Sequence, residues 1–182
     1  MERTKRNTPV ILTNDPSLTA WGWAIVQPNG KILDVGCIKT EPRANKLRIR
    51  KGDDTCRRVH ELNTELLRVI RKYNVDYILS ELPHGSQTAA AAVMIGIVSG
   101  IAQTISDVLG IPIEWYSEGD AKKELLGKNA ATKKEIIDAI YITFPNVPWT
   151  FIKYKDEAIA DALAIFNVAL HQSTFIMFHK GK

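Results

Sequence analysis

Val10-Ile11-Leu12-Thr13-Asn14-Asp15 is an apolar run that closes on a carboxylate, and Tyr77-Ile78-Leu79-Ser80-Glu81 repeats the arrangement further along the chain. Short continuous apolar runs of this kind read as strands buried on both faces of a sheet. A carboxylate at the end of such a strand serves no packing purpose, so both acids point to chemistry. Outward from these two runs, residues 9–14, 20–28 and 31–38 read as three strands, with Asn29-Gly30 favouring a tight hairpin between the second and third. Asp53, Asp54 or Thr55 is positioned to cap a helix carrying Val59, Leu62, Leu66, Val69 and Ile70 on one face. A strand over 76–80 then delivers Glu81. Ser86 is expected to cap a helix that runs to Leu109 and stops at Gly110.

Residues 111–116 form the next predicted strand, and Ser117 opens a short helix through Leu126. Thr132-Lys133-Lys134-Glu135 spells a capping box for a helix through Phe144, and the final helix is expected to start near Asp156. Three antiparallel strands followed by helix, strand, helix, strand and closing helices imply an α/β fold, with a five-stranded mixed sheet flanked by helices. The carboxyl ends of the first and fourth strands then lie side by side. The start of the last helix can bring Asp161 to them.

The chain has 182 residues, 45% of them hydrophobic and 24% charged, which suits one domain over 1–182 with 1–8 and 174–182 as flexible tails. Its formal net charge is only +4. If several acids gather at one site, the remaining surface is more positive than the total suggests, which favours a polyanionic partner. Cys37 and Cys56 have neither metal-ligand spacing nor the density of a disulfide scaffold, so reduced thiols and a cytoplasmic location are expected. The polar amino terminus lacks the apolar centre of a signal peptide. Residues 89–102 fall short of the ~20 a bilayer requires, so this stretch reads as a buried helix and no membrane partner is expected.

Acids at two strand ends and on a terminal helix supply the oxygen ligands that hard divalent cations take. Hydrolysis of a phosphodiester is therefore the leading chemistry. The order and content of these motifs resemble one family. Ile11 to Trp23, with Asp15-Pro16 inside it, looks like the opening strand of RuvC-type Holliday junction resolvases, and Tyr77 to Glu81 looks like their second acidic strand. Gly127 to Lys133 resembles the family's glycine-to-lysine motif, and Ala160-Asp161-Ala162-Leu163-Ala164 resembles its terminal acidic helix. The resemblance runs over residues 9–171 and implies a ribonuclease H-like fold, a homodimer, and resolution of four-way DNA junctions by paired symmetric nicks.

The resemblance also implies a metal site of Asp15, Glu81 and Asp161, holding two Mg²⁺ ions about 4 Å apart, with Mn²⁺ as a substitute. The chain departs from the family pattern at Ala158, where the terminal helix usually carries a further acid or a histidine. Glu157 lies about 40° round the helix from Asp161 and Asp156 about 140°, so Glu157 is expected as the fourth ligand and Asp156 as a helix cap. Asn14 is a second departure, polar where the family is usually apolar.

Lys133 and Lys122 fall at the family's spacing for lysines near the cleaved strand. Lys133, in a helix's first turn where a cation is disfavoured, is the stronger catalytic candidate. Lys122, Lys128 and Lys134 are candidate DNA contacts, as are Arg43, Lys46, Arg48, Arg50 and Lys51 in a basic stretch opposed only by Glu41. His84 occupies the place of an aromatic wedge in the family, and Gln87 follows it at the mouth of the site. Ala89 to Ala92, Gly96 and Gly100 leave a helix face of small residues, open to packing in the core or against a second subunit. Two further enzyme readings stay open on sequence alone: a related nuclease acting on other branched DNA or RNA–DNA hybrids, and a related-fold ATPase. A junction-binding adaptor without activity is the reading from another class.

Overall fold

The computed structural model describes residues 8–83, 85, 86 and 88–180. Five strands form one sheet in the order β3-β2-β1-β4-β5: β1 (Ile11–Asp15), β2 (Ala20–Val26), β3 (Ile32–Lys39), β4 (Tyr77–Leu82) and β5 (Ile113–Ser117). β1 pairs antiparallel with β2 and parallel with β4, and β5 continues the parallel half. The mixed sheet deduced from the strand order is the one observed.

Alternation along β1 sorts the core into two layers. Ile11 joins Ala24, Val26, Tyr77 and Leu79 on the face covered by the helices α4 (Glu118–Leu126), α5 (Lys133–Thr143) and α6 (Lys153–Gln172). Val10 and Leu12 join Trp21, Trp23, Ile25 and Ile78 beneath α2 (Lys51–Tyr73) and α3 (Ala89–Leu109). Each fully buried Ile or Leu here contributes about 1.5–3 kcal/mol. A one-residue slip of β1 would send this apolar set, and Asp15 with it, to the wrong face.

Asn14 faces the α2–α3 layer and is 1% exposed. It is not idle there: its Nδ2 donates to Leu79 O at 2.9 Å, and its Oδ1 accepts from Ser80 Oγ at 3.1 Å. A polar side chain in an apolar layer thus ties β1 to β4 immediately before the two acids.

Several boundaries differ from expectation. A short helix, α1 (Ala44–Leu47), precedes α2, and α2 begins at Lys51, so Asp54 is not its cap; its carboxylate instead accepts from Arg43 N at 2.8 Å and pairs with Arg57 at 2.7 Å. Thr88, not Ser86, caps α3, accepting from Ala91 N at 3.2 Å. α3 is also not the buried helix expected. Its 21 residues are long and apolar enough to span a membrane, and its carboxyl-terminal half packs on the sheet through Val98, Ile101, Ala102 and Ile105, while Val93 in the other half is exposed. α6 starts three residues before Asp156. Residues 174–179, expected in a tail, form α7 (Thr174–His179), with Ile176 fully buried and Phe175 stacked on Tyr77 at 3.9 Å. The capping box is present as read, with both reciprocal bonds between Thr132 and Glu135.

α6 crosses the sheet almost in backbone contact with β2. A Cβ built on Gly22 would lie 1.9 Å from the Ala158 carbonyl oxygen. Backbone on both sides leaves nothing to rotate away. Gly22→Ala should therefore lower stability by about 2 kcal/mol or more. Urea unfolding should show a lower midpoint at an unchanged slope.

Candidate active site

Sheet register builds the site. Asp15 pairs with Gly22 and Gly22 with Cys37, while on the other side Asn14 pairs with Ser80 and Glu81 with Tyr116. One row of side chains, Cys37, Gly22, Asp15, Glu81 and Tyr116, therefore points to the α6 face at the carboxyl end of β1. The missing side chain at Gly22 lets α6 settle onto this row, and Thr13 Oγ1 donates to Ala162 O at 2.7 Å, fixing the helix along its axis. Asp161, 9% exposed, is thereby held over the two strand acids.

The electrostatics are those of crowded anions. Burial, then Asp161 and Glu118, push the Asp15 carboxyl up to about 7 against the opposing pull of Lys133. Burial, then Asp15, Asp161 and Glu118, push Glu81 up to about 9. Asp161 is raised by burial and Glu118, with Lys133 and Lys122 working the other way. Lys133 bonds directly to Asp161; burial draws its pKa down, but Asp161, Asp15 and Glu81 outweigh that and leave it raised.

The structure thus brings Asp15, Glu81, Asp161 and Lys133 together. It also adds a residue the sequence did not single out. Glu118 follows β5 and, because β4 and β5 run parallel, stands just past the strand end beside Glu81; it repels all three acids and forms an ion pair with Lys122. Its only sequence signal, an acid in the first turn of a helix, is that of ordinary dipole compensation.

Glu157 sits one turn before Asp161 and lies 4.0 Å from Lys153 of its own helix. Asp156 is not the helix cap expected. Its Oδ1 accepts from Thr150 N at 2.9 Å and Thr150 Oγ1 at 2.7 Å, so it holds the loop before α6. Ala158 is 6% exposed against β2, with no room for a longer side chain nearby on the sheet.

Lys128 pairs with Glu135, and Lys134 with Asp138 at 2.6 Å. Lys46, Arg48 and Lys51 are exposed around α1 and the start of α2, Arg50 makes two bonds to Asp53 at 2.8 Å, and Arg43 is exposed while its backbone is tied to Asp54. His84 and Gln87 lie outside the described residues. Cys37 and Cys56 are free thiols.

Among the described residues, no three His, Cys, Asp or Glu side chains converge closely enough to hold a metal ion as they stand. The chemistry of the set nevertheless fits one. It is all oxygen, half-buried to buried, and once ionised would carry more negative charge than Lys133 and Lys122 can offset, which is the condition a hard divalent cation relieves.

Comparison with known proteins bears on the fold and the family. Residues 11–169 match the family model described as crossover junction endodeoxyribonuclease RuvC. The protein of that name from Ruegeria pomeroyi is 28% identical over 156 residues, covering 85% of this chain and 87% of its own, and that from Rhizobium johnstonii is 27% identical over 160 residues, covering 88% of each. Among solved structures, Thermus thermophilus RuvC in complex with a Holliday junction substrate superposes with a TM-score of 0.69 at 20% identity, covering 94% of this chain and 97% of its own. The yeast mitochondrial Holliday junction resolvase Ydc2 superposes at 0.57 and 15% identity, covering 94% and 81%. The shared architecture is the ribonuclease H-like fold.

The raised carboxyls set a pH dependence. Their folded pKa values lie above the unfolded ones, so the stability they contribute is complete below pH about 4 and is lost as pH rises through about 7 for Asp15 and about 9 for Glu81. In EDTA, Glu81→Gln should melt several degrees above the parent at about pH 8 and show little gain at about pH 4. Thermal melts at the two pH values, with and without divalent cation, check this.

Proposed function

Because the chain belongs to the family of the crossover junction endodeoxyribonuclease RuvC, we propose that it is a structure-selective endonuclease that resolves four-way DNA junctions by paired symmetric nicks. The observation that supports this most directly is the convergence of Asp15, Glu81, Asp161 and Lys133 at the carboxyl end of β1. Asp15, Glu81 and Asp161 would hold the divalent cations, with Mg²⁺ as the natural ion, Mn²⁺ as a substitute and two ions at each site. Glu157, on the Asp161 face of α6, and Glu118, at the head of α4, would be the further oxygen donors.

Bound cations would supply an activated water and charge neutralisation at the leaving oxygen. The protein's own part is placement. Asp15 lies on β1 between β2 and β4, in the middle of the row, and would hold a cation from there. Lys133, which pairs with Asp161, would be placed to donate to the phosphate, where charge develops during displacement. Lys122 stands in the same relation to Glu118.

Lys128, Lys134, Arg43, Lys46, Arg48, Arg50 and Lys51 extend the contact along the backbone of the DNA arms, and His84 and Gln87 are assigned to the junction centre. Phosphate contacts of this kind position the duplex without reading its sequence. A four-way junction has approximate two-fold symmetry, so two copies of the site are needed for paired cuts. The exposed face of α3 suits the dimer contact: at Gly96 and Gly100 an added Cβ would meet nothing within 4 Å, so these glycines are not needed for packing inside one subunit. Such DNA work would belong in the cytoplasm.

The test is incubation with a labelled four-way junction, a matched duplex, a flap and an RNA–DNA hybrid, each with Mg²⁺ or EDTA. Paired nicks in the junction alone, absent in EDTA and reduced about a thousandfold or more by Asp15→Asn, are expected. Preferred cutting of the hybrid or flap would move the substrate while keeping the site. Tight junction binding without cutting would make the protein an adaptor. Glu118→Gln and Glu157→Gln should each weaken Mn²⁺ binding about tenfold in a calorimetric titration.

A further inference from the structure

Phe151 is the most exposed large apolar residue described in the chain, at 87% of its accessible surface, and its φ is +59°. A bulky aromatic residue in the left-handed region is a backbone outlier, and such conformations persist only where the surroundings over-determine them. Here they do so on both sides. Thr150 N and Oγ1 both donate to the buried Asp156 carboxylate, at 2.9 and 2.7 Å, and Ile152 N donates back to Thr150 Oγ1 at 3.2 Å. Trp149, one residue further back, is stacked on Tyr141 at 4.5 Å. The ring itself has no aromatic or hydrogen-bonding partner among the described residues. A buried acid therefore holds a strained loop whose visible result is an aromatic ring in water.

The surroundings indicate what the ring meets. Lys153, two residues on, has a side chain 89% exposed. Lys39, ion-paired to Glu41 at 2.9 Å, reaches across from β3 to lie 4.8 Å over the Tyr154 ring, and Lys155, Asp15 and Lys39 all act electrostatically on Cys37. A track of ammonium groups thus leads from the strand acids past Cys37 to the head of α6, where Phe151 stands. A positive track ending in an unpartnered aromatic ring is the arrangement that holds single-stranded nucleic acid, by phosphate attraction and base stacking.

We propose that Phe151 is a stacking platform for an unpaired nucleobase of the branched DNA, displaced from the scissile phosphate along the bound strand. The inference rests on the nuclease reading above. Eight helical steps separate Lys153 from Asp161, a rise of about 12 Å, which spans about four stacked nucleotides. The strain at residue 151 is then the means by which the ring is presented before DNA arrives.

Three variants test this: Phe151→Ala, Phe151→Gly and Phe151→Trp, each measured in Ca²⁺ or EDTA for binding to a four-way junction and to matched duplex, and by thermal melting. Ala and Gly should weaken junction binding about tenfold, Trp should restore it, and duplex affinity should stay unchanged. Phe151→Gly should also melt above the parent, because glycine enters the left-handed region freely. A residue kept for structure alone would show the opposite sign. 2-Aminopurine placed about four nucleotides from the cut should be quenched by the parent and Phe151→Trp, but not by Phe151→Ala.

Unchanged junction affinity in Phe151→Ala, or equal losses for junction and duplex, overturns the proposal. So does conversion of a dimer to a monomer in light scattering, which would give the ring to a second copy of the chain. A parent protein that neither binds nor cuts junctions would instead overturn the nuclease reading itself.

Discussion

The close approach of α6 to β2 at Gly22 is the constraint on which the site depends. Only a residue without a side chain admits the Ala158 carbonyl there, and only at that depth does Asp161 hang over Asp15 and Glu81. Thr13 then fixes the helix along its axis through Ala162 O. The row that carries Asp15 and Glu81 is set by register, and the register by two apolar faces that a one-residue slip would exchange. Packing decides where the acids sit, and chemistry decides only that they are acids.

That placement works against folding. Burial and mutual repulsion raise Asp15, Glu81 and Asp161 together, so the metal-free protein near neutral pH carries a destabilised cluster. Lys133 on Asp161 and Lys122 on Glu118 offset part of it. Neither lysine is a surplus cation. Each is paired to a carboxylate that the proposed function would give to a cation, and each becomes available to phosphate when that exchange occurs.

Much of this was legible in the sequence, for identifiable reasons. Asp15 and Glu81 stand out because apolar runs that end in acids are rare and local, and Thr132-Lys133-Lys134-Glu135 declares its capping box within four residues. Asp161 at the head of the last helix and Lys133, a cation in a helix's first turn, carry weaker local marks, and the family resemblance strengthened both. What escaped is non-local. Glu118 looks like an ordinary first-turn acid until the β4–β5 register sets it beside Glu81. Asn14 looks misplaced until Ser80 and the Leu79 carbonyl are seen opposite it. Asp156 resembles a cap but reaches back to Thr150, and Ile176 makes a core helix of what composition suggested was a tail.

The same geometry explains why a mildly basic chain can present so acidic a centre to a polyanion. A phosphate pushed toward Asp15, Glu81, Asp161 and Glu118 meets four crowded carboxyl groups, with Asp161 and Glu118 already ion-paired to Lys133 and Lys122. Coulomb repulsion at that depth is little screened by salt, because the groups are largely shielded from solvent. The exposed cations lie elsewhere, around α1, at the start of α2, and at the head of α6. On the proposed function, attraction would therefore act first on the arms of a bound polymer, and the centre would admit phosphate once cations offset its own charge. On the same reading, this separation would let the arms of the DNA bind before the acidic centre takes its cation, a division that follows from where the charges lie.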